Sequence, residues 1–529
     1  MRRDFELPGR SAVLALDGMA ATPHPHATRI AVDVLRSGGN AVDAAVAAAA
    51  ALAVVAPQDT GIGGDCFVIL ARGGQDDIIA YNGSGRAPMA ATVEWYAARG
   101  ISELEDTSPH TVTVPGAIEA WARIVADHGH KELAELLEPA AVLAERGHPI
   151  HARTALDWSL QTERLSRDPH AARVLLNNGA PFRVGELQRN PGLAEALRII
   201  GRQGAKCFYT GDVARDMVDR LNELGGVHTL EDFERHEGEY VTPVRSSYRG
   251  TELLQIPPSN QGITALAMLA LLECFEHAAM RPMDALRLHL QIEAARLAYR
   301  DRDALIADMR HADVPVTAIL DKAYTRRLAA LISPDRMLAG LPDPLQTNAN
   351  TVYVSVVDRD RNAVSLINSV YHWFGSARVS PRFGIVLHNR GIGFRLDPAH
   401  PNAIAPGKRP LHTIMPGMSL RDGRVHASYG VVGGDYQPYG HTHFLTGVID
   451  FGLDPQEAID QPRVFYNRGV TEVERGVPWE SIKELEACGH RIGRPLVPHG
   501  GGQCVVIDWK AGVLTGASDP RLDGCALGY

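Results

Sequence analysis

Three short stretches of this 529-residue chain contain groups that could do chemistry. The turn Gly433-Gly434 follows an apolar run, and consecutive glycines at a strand end either direct two backbone N–H groups at one oxyanion or form a tight turn. Arg86 lies among small residues in a loop and either binds a carboxylate or stays solvated. Thr351 places a hydroxyl at the start of a predicted strand, where a β-branched residue is ordinary. The local sequence leaves all three stretches open.

Thr351 begins a predicted β-hairpin. Two runs rich in β-branched residues, 351–358 and 363–369, flank the polar turn 359–362, which is the pattern of two paired strands. The preceding segment, 334–349, is polar, contains prolines and shows no periodicity. We therefore predict a flexible linker that ends where the hairpin begins.

The remaining patterns predict a scaffold of helices and strands. Residues 27–56 read as two helices with a break at 38–40, and the alanines of the second helix leave almost no polar face, as in a buried helix. The stretch 61–64 is rich in glycine, but it follows a helix and precedes a strand at 66–71, the reverse of the dinucleotide-binding order. Close backbone packing is therefore favoured over a phosphate site. From 116 to 300 the apolar spacing is mostly helical.

Composition excludes several classes of protein. Hydrophobic residues make up 45% and charged residues 22%, which is typical of a globular protein of one elaborate layered domain or two domains. The net charge of −9 supplies no basic surface for nucleic acid. The most apolar run, 44–56, is shorter than the roughly 20 residues of a membrane-spanning helix, and no apolar stretch follows the N-terminal arginines. We expect no membrane contact and a cytoplasmic location.

No metal or cofactor is expected from the sequence. The six cysteines are scattered without CxxC spacing, so neither a zinc site nor a disulfide framework is indicated. Histidines occur in the pairs His24/His26, His148/His151 and His441/His443. No obvious third ligand lies near them, so surface or core histidines are favoured over metal ligands.

Several stretches, in this order and at these spacings, together resemble the γ-glutamyltranspeptidase family of N-terminal-nucleophile hydrolases over nearly the whole chain. The matching stretches are 38–45, 61–64, 257–259, 351–358, 408–411, Gly433-Gly434 and 518–521. The resemblance implies an α/β (α+β) fold, a four-layer αββα sandwich. It also implies one inactive precursor that cuts its own Asn350–Thr351 bond. The products would be a large subunit, 1–350, and a small catalytic subunit, 351–529, which together form one domain and assemble as one heterodimer or as a dimer of heterodimers.

The same resemblance assigns catalytic roles. Thr351 would be the nucleophile, and its freed α-amino group, with an ordinary pKa of about 7.7 to 8.0, would be the general base. Ser369 stands where the family places a threonine that steadies the nucleophile. Gly433 and Gly434 occupy the oxyanion-hole position.

The departures from the family pattern concern the substrate. Members that use glutathione hold the α-carboxylate and α-amino group with an arginine, an asparagine, an aspartate and paired serines. By position this chain has Ser84, Tyr371, Gly393 and His412-Thr413 in their place. Without the aspartate an α-ammonium group would have no counter-charge, so a γ-glutamyl amide is not the expected substrate.

Arg86 could still bind a carboxylate, and Tyr371, His372, His412 and Thr413 could form a smaller, more aromatic pocket. This pattern is similar to the branch that includes oxamate amidohydrolase, an enzyme of purine breakdown. The leading hypothesis is an amidohydrolase that cleaves a small carboxylate-bearing amide through an acyl-Thr351 intermediate, without a cofactor. The alternatives are a γ-glutamyl hydrolase or transpeptidase acting on glutathione-like substrates, and an unprocessed non-catalytic binding protein.

Overall fold

A computed structural model describes residues 9–276, 280–341 and 350–529, with Asn350 described by its backbone alone. The strands in the first part of the chain are β1 (Val13–Ala15), β2 (Met19–Thr22), β3 (Asp65–Ala71), β4 (Ile78–Gly83), β5 (His148–Pro149), β6 (Leu187–Gln188), β7 (Glu239–Val241), β8 (Val244–Tyr248) and β9 (Thr251–Gln255). Those in the second part are β10 (Asn350–Val357), β11 (Ala363–Tyr371), β12 (Arg378–Val379), β13 (Val386–Leu387), β14 (Gly417–Arg421), β15 (Arg424–Val432), β16 (Val464–Asn467), β17 (Val470–Val473), β18 (Ile492–Gly493), β19 (Gly501–Asp508), β20 (Val513–Ser518) and β21 (Cys525–Gly528).

Among the described residues, more α-helices precede the hairpin than follow it. The first ten are α1 (Pro25–Arg36), α2 (Ala41–Val55), α3 (Val93–Ala97), α4 (Ala117–His128), α5 (Leu133–Arg146), α6 (Ala152–Ser166), α7 (Pro169–Leu175), α8 (Pro191–Gln203), α9 (Lys206–Thr210) and α10 (Asp212–Glu223). The others are α11 (Leu230–Glu234), α12 (Gly262–Leu272), α13 (Ala285–Leu305), α14 (Val316–Ile319), α15 (Lys322–Ala329), α16 (Gln437–Ile449), α17 (Pro455–Asp460) and α18 (Trp479–Ala487).

Two seven-stranded sheets form the centre of the molecule. The first sheet has the order β21-β2-β10-β11-β3-β4-β7, and the second has the order β1-β20-β19-β15-β14-β9-β8. The predicted hairpin is confirmed as β10 and β11, which pair antiparallel in the middle of the first sheet. Both of its strands therefore have partners on both sides, β2 and β3.

Alternation along β10 shows how the layers pack. Val352, Val354 and Val356 belong to the core formed with α2, whereas Tyr353 and Val357 belong to the core between the two sheets. The outer face of the second sheet is covered by α12 and α16. Helices thus cover both sheets from outside, and the four-layer αββα sandwich predicted from the sequence is confirmed.

The buried helix and the glycine stretch were also predicted correctly. All fifteen residues of α2 are buried, and the helix begins with a capping box in which Asn40 Oδ1 accepts the Val42 and Asp43 N–H groups at 2.9 and 3.1 Å. A Cβ atom on Gly64 would lie 2.3 Å from the Ser369 carbonyl oxygen. Close packing against β11 therefore explains this glycine.

Part of the predicted linker is hydrogen-bonded to the fold. The Met337 N–H donates to Cys488 O at 2.8 Å, and the Leu338 N–H donates to Glu293 Oε2 at 2.8 Å. The rest of that prediction, 342–349, lies outside the described residues. Within the described ranges, no helix combines the length and the apolar character needed to cross a membrane.

Candidate active site

Thr351 lies at an irregularity in the pairing of β10 with β11. Asn350 pairs with Tyr371 and Val352 pairs with Asn368, so two residues of β11 stand opposite Thr351 alone. A β-bulge of this kind redirects side chains and is common beside active sites. Thr351 is 1% exposed and lies two residues before Tyr353, which packs between the sheets. Thr351 is therefore a buried residue at the start of a central strand.

Two side chains contact the Thr351 hydroxyl. Oγ1 donates to Ser369 Oγ at 3.3 Å, and Gln437 Nε2 donates to Oγ1 at 3.4 Å. The Met415 N–H donates to Gln437 Oε1 at 3.0 Å, so the amide is oriented with its NH₂ group toward Thr351. The structure thus places Ser369 within hydrogen-bond distance of Thr351, and its role stays a prediction. Gln437 was missed; the signal in the sequence is its position three residues after the glycine turn, at a helix start.

Gln437→Leu removes this donor with little change in side-chain volume. We expect kcat to fall about tenfold, the effect of one hydrogen bond to the nucleophile, with self-cleavage slowed to a similar degree. Steady-state kinetics and the rate of precursor disappearance on denaturing gels would measure both. Gln456→Leu is the matched control, because Gln456 is equally buried in α17 and bonds Ser518 instead; its kcat should not change. An unchanged kcat in Gln437→Leu would show that the hydrogen bond from Gln437 to Thr351 does not contribute to catalysis.

The turn Gly433-Gly434 has the backbone geometry that glycine favours. Gly433 has φ 118° and Gly434 has φ 57°, both in the left-handed region. Gly433 O accepts the Tyr436 N–H at 3.0 Å, and Gly434 O accepts Gln261 Nε2 at 3.0 Å. Both carbonyl groups therefore accept hydrogen bonds from the protein. The turn leads directly into α16, whose N-terminus adds a favourable dipole for an anion.

A buried polar network holds this turn in place. Gln261 Nε2 also donates to Thr413 O at 2.6 Å, while Arg302 Nη1 donates to Gln261 Oε1 at 2.9 Å and to Asp435 Oδ1 at 2.6 Å. All four of these residues are buried. The Pro- and Asn-rich stretch that ends at Gln261 thus connects the glycine turn to the segment 412–414.

The predicted pocket residues on β11 and its following loop are close together. Tyr371 has φ 79°, an unfavourable value for an aromatic residue, and its ring stacks on that of His372 with 4.6 Å between centroids. His372 Nδ1 lies 2.7 Å from Asp106 Oδ1. His412 is fully buried with its ring 5.1 Å from that of Phe67, and burial lowers the pKa of His412 well below its ordinary value, so it is neutral near pH 7.

Arg86 lies in a cluster of ion pairs. Its guanidinium is 3.6 Å from Asp308 and 3.7 Å from Glu239, and Nη1 donates to Gly407 O at 3.1 Å. Burial and the neighbouring Arg409 lower the pKa of Arg86 to about 10. The structure therefore gives Arg86 carboxylate partners from the protein itself. Its contact with a substrate stays a prediction.

A second arginine, which sequence reasoning missed, contacts the predicted pocket. Arg390 Nη1 donates to Thr413 Oγ1 at 2.7 Å, and its guanidinium lies 4.1 Å from the centre of the Tyr371 ring. No local signal distinguished Arg390, because only long-range folding brings it to these two residues.

Asp65, at the start of β3, was also missed. Its Oδ1 accepts the Gly85 and Gly116 N–H groups at 2.8 and 3.2 Å. Its Oδ2 lies 3.4 Å from His388 Nδ1 and 3.5 Å from His412 Nε2. A fully buried carboxylate therefore borders the predicted pocket.

Among the described residues, one group has the spacing of metal ligands: His289, Glu293 and His490. His289 Nδ1 and His490 Nε2 are 2.8 Å apart, and their other ring nitrogens bond Ser333 O and Thr471 Oγ1. Glu293 is paired with Arg296. All four ring nitrogens therefore have hydrogen-bond partners within the protein, which explains the group as a structural hydrogen-bond chain.

Comparison with known proteins decides the family. A sequence model described as Gamma-glutamyltranspeptidase matches residues 27–529. The chain belongs to the γ-glutamyltranspeptidase family. Relatives in this family include the "Glutathione hydrolase-like YwrD proenzyme" of Bacillus subtilis, 36% identical over 98% of this chain and 99% of the relative. The "Oxamate amidohydrolase proenzyme" of Klebsiella pneumoniae is also 36% identical, over 98% of this chain and 100% of the relative.

Solved structures agree with the family assignment. The cephalosporin acylase from Bacillus halodurans superposes with a TM-score of 0.93 and 36% identity, covering 100% of this chain and 99% of that one. The resemblance inferred from scattered motifs and the fold inferred from it are both confirmed. Thr351, Ser369 and the glycine turn therefore lie in the fold of a γ-glutamyltranspeptidase family hydrolase.

Proposed function

We propose that this γ-glutamyltranspeptidase family member is a self-processing amidohydrolase with Thr351 as nucleophile. The observation that supports it is the placement of the Thr351 hydroxyl between Ser369 Oγ and Gln437 Nε2, at 3.3 and 3.4 Å. A threonine with only a structural role in the strand would not need hydrogen bonds from its hydroxyl to Ser369 and Gln437. The names of relatives described as proenzymes are consistent with processing.

The proposed chemistry uses one residue twice. Thr351 Oγ1 first attacks the carbonyl carbon of Asn350, and hydrolysis of the resulting ester leaves chains 1–350 and 351–529. The freed α-amino group then takes the proton from Oγ1 as that oxygen attacks the substrate amide. The N–H groups of Gly433 and Gly434 stabilise the oxyanion. The amine leaves with a proton, and water releases the acyl group from Thr351.

The proposed substrate is a small amide that bears a carboxylate, of the oxamate type. Gly393 provides no counter-charge for an α-ammonium group, whereas Arg390 places a cation beside Tyr371 and Thr413. The oxamate amidohydrolase among the relatives acts on such an amide by its name. The proposal therefore predicts a preference for an anionic acyl group without an α-amino group.

Purified protein should hydrolyse oxamate with a higher kcat/KM than γ-glutamyl-p-nitroanilide, because only the second substrate has an ammonium group to desolvate. Ammonia release and nitroaniline absorbance would measure the two reactions, with glycylglycine added to detect transfer. Faster turnover of the γ-glutamyl substrate would refute the oxamate assignment. A single uncleaved band and no turnover of either would favour the non-catalytic alternative.

A γ-glutamyl hydrolase remains the second candidate because of Asp65. This buried carboxylate borders His412 and could pair with an α-ammonium group. Asp65→Asn distinguishes the two: it keeps the acceptor for Gly85 and Gly116 but removes the charge. A γ-glutamyl hydrolase would lose activity in this variant, whereas oxamate hydrolysis needs no such counter-charge.

A further inference from the structure

Arg390 is a buried cation with unused donors. Its side chain is 0% exposed, and Nη1 is occupied by Thr413 Oγ1. Nε and Nη2 have no hydrogen-bond partner among the described residues. Among the described residues, no carboxylate oxygen is close enough to this guanidinium, 4.0 Å or less, to form an ion pair with it. Burial lowers the pKa of Arg390 to about 10, which still leaves it charged near pH 7. Burying a charge without a partner costs free energy, and an anion bound to the guanidinium would offset that cost.

The two unused nitrogens are on one edge of the guanidinium. Nε–H and an Nη2–H point in parallel, and this edge matches the two oxygens of a carboxylate. Thr413 Oγ1 bonds the third nitrogen, Nη1, and the guanidinium carbon lies over the Tyr371 ring, 4.1 Å from its centroid. The arginine is therefore fixed in position with its carboxylate-binding edge unoccupied by the described residues.

The residues that contact Arg390 are linked by hydrogen bonds to the proposed nucleophile and to the glycine turn. The Tyr371 N–H donates to Ser369 Oγ at 2.8 Å, and Ser369 Oγ is the group that accepts from Thr351. On the other side, Thr413 O shares the Gln261 amide with Gly434 O of the glycine turn. Arg390 thus contacts one residue linked to Ser369 and one residue linked to the glycine turn.

We propose that Arg390, oriented by Thr413 and Tyr371, binds the carboxylate of the acyl group through Nε and Nη2. This inference rests on the proposed function and replaces Arg86 as the carboxylate-binding residue. Binding of this carboxylate by Arg390 would make the enzyme specific for monoamides of dicarboxylic acids.

The wild-type test compares oxamate with oxamide, a neutral amide of nearly the same size and shape. We expect kcat/KM for oxamate to be about 100-fold higher or more, as for a buried charge pair, and oxalate to inhibit competitively. Equal rates for the two amides would overturn the inference without touching the amidohydrolase proposal. Absence of turnover with either amide, together with turnover of γ-glutamyl-p-nitroanilide, would instead refute the proposed substrate class and this inference together.

Variants then identify the residue. In Arg390→Gln the preference for oxamate over oxamide should fall about 100-fold, mainly through a higher KM for oxamate. Arg390→Lys should recover part of the preference. Thr413→Val should raise KM for oxamate severalfold by releasing Nη1. If Arg390→Gln does not process, the Lys and Thr413 variants decide the matter. If Arg86→Gln lost the preference for oxamate over oxamide and Arg390→Gln kept it, Arg86 would be the carboxylate-binding residue and the inference would be overturned.

Discussion

Thr351→Ala should leave the protein as one uncut 529-residue chain with turnover reduced by at least about 10⁴-fold. The methyl group cannot attack the Asn350 carbonyl, so the cleavage that frees the α-amino group never starts. Both the proposed nucleophile and the proposed base are therefore lost in one substitution. Thr351→Ser keeps a hydroxyl and should retain some cleavage and some activity.

Intact mass spectrometry would show whether chains 1–350 and 351–529 are present, and acid quench during turnover would show an acyl adduct on the second. Ser355→Ala is the control, because this buried serine lies on the same face of β10 and bonds Ser428 instead. It should process and turn over normally, with stability lowered by about 1 kcal/mol. Cleavage at the same bond in Thr351→Ala would show that another group is the nucleophile.

Gly433→Ala should have the second-largest effect. An added Cβ would lie 2.9 Å from the Gly500 Cα, and φ 118° is unfavourable for alanine. The turn must therefore shift, and the N–H groups proposed to bind the oxyanion would move with it. We expect kcat to fall about 10²- to 10³-fold with little change in KM, because the lost interaction is made only in the transition state. Self-cleavage, which passes through a similar oxyanion, should slow as well.

A second glycine separates catalysis from backbone strain. Gly423, in the β14–β15 turn, has φ 71° and no atom within 4 Å of an added Cβ. Gly423→Ala therefore imposes left-handed strain without a clash and far along β15 from the site. Its melting temperature should fall, while its kcat stays at the wild-type value. If kcat also stays unchanged in Gly433→Ala, the turn is not the oxyanion hole.

Local patterns were sufficient to predict elements whose cause is local. The hairpin followed from two β-branched runs around a polar turn, and α2 followed from an alanine run after Asn40. The glycines before β3 were assigned to packing by their place between a helix and a strand, and Gly64 does meet the Ser369 carbonyl. The family motifs then added the layer arrangement, which no local pattern contains.

The site residues that were missed depend on distant contacts. Arg390 reaches Thr413 over 23 residues, and Gln437 reaches Thr351 over 86. Arg86 shows the reverse case: its loop suggested an available cation, but Asp308 and Glu239 approach it from elsewhere in the chain. A sequence shows which side chains are charged, whereas only the packed structure shows which charges are already neutralised.

If Thr351 cuts the chain as proposed, its contacts couple self-cleavage to correct folding. Thr351 and Ser369 belong to the first sheet, whereas Gln437 and the glycine turn follow β15 of the second sheet. The proposed self-cleavage site is therefore incomplete until the two sheets have packed together in the native register. A misfolded precursor would remain one chain, so the ratio of cut to uncut protein in a cell extract would report folding yield without any activity assay.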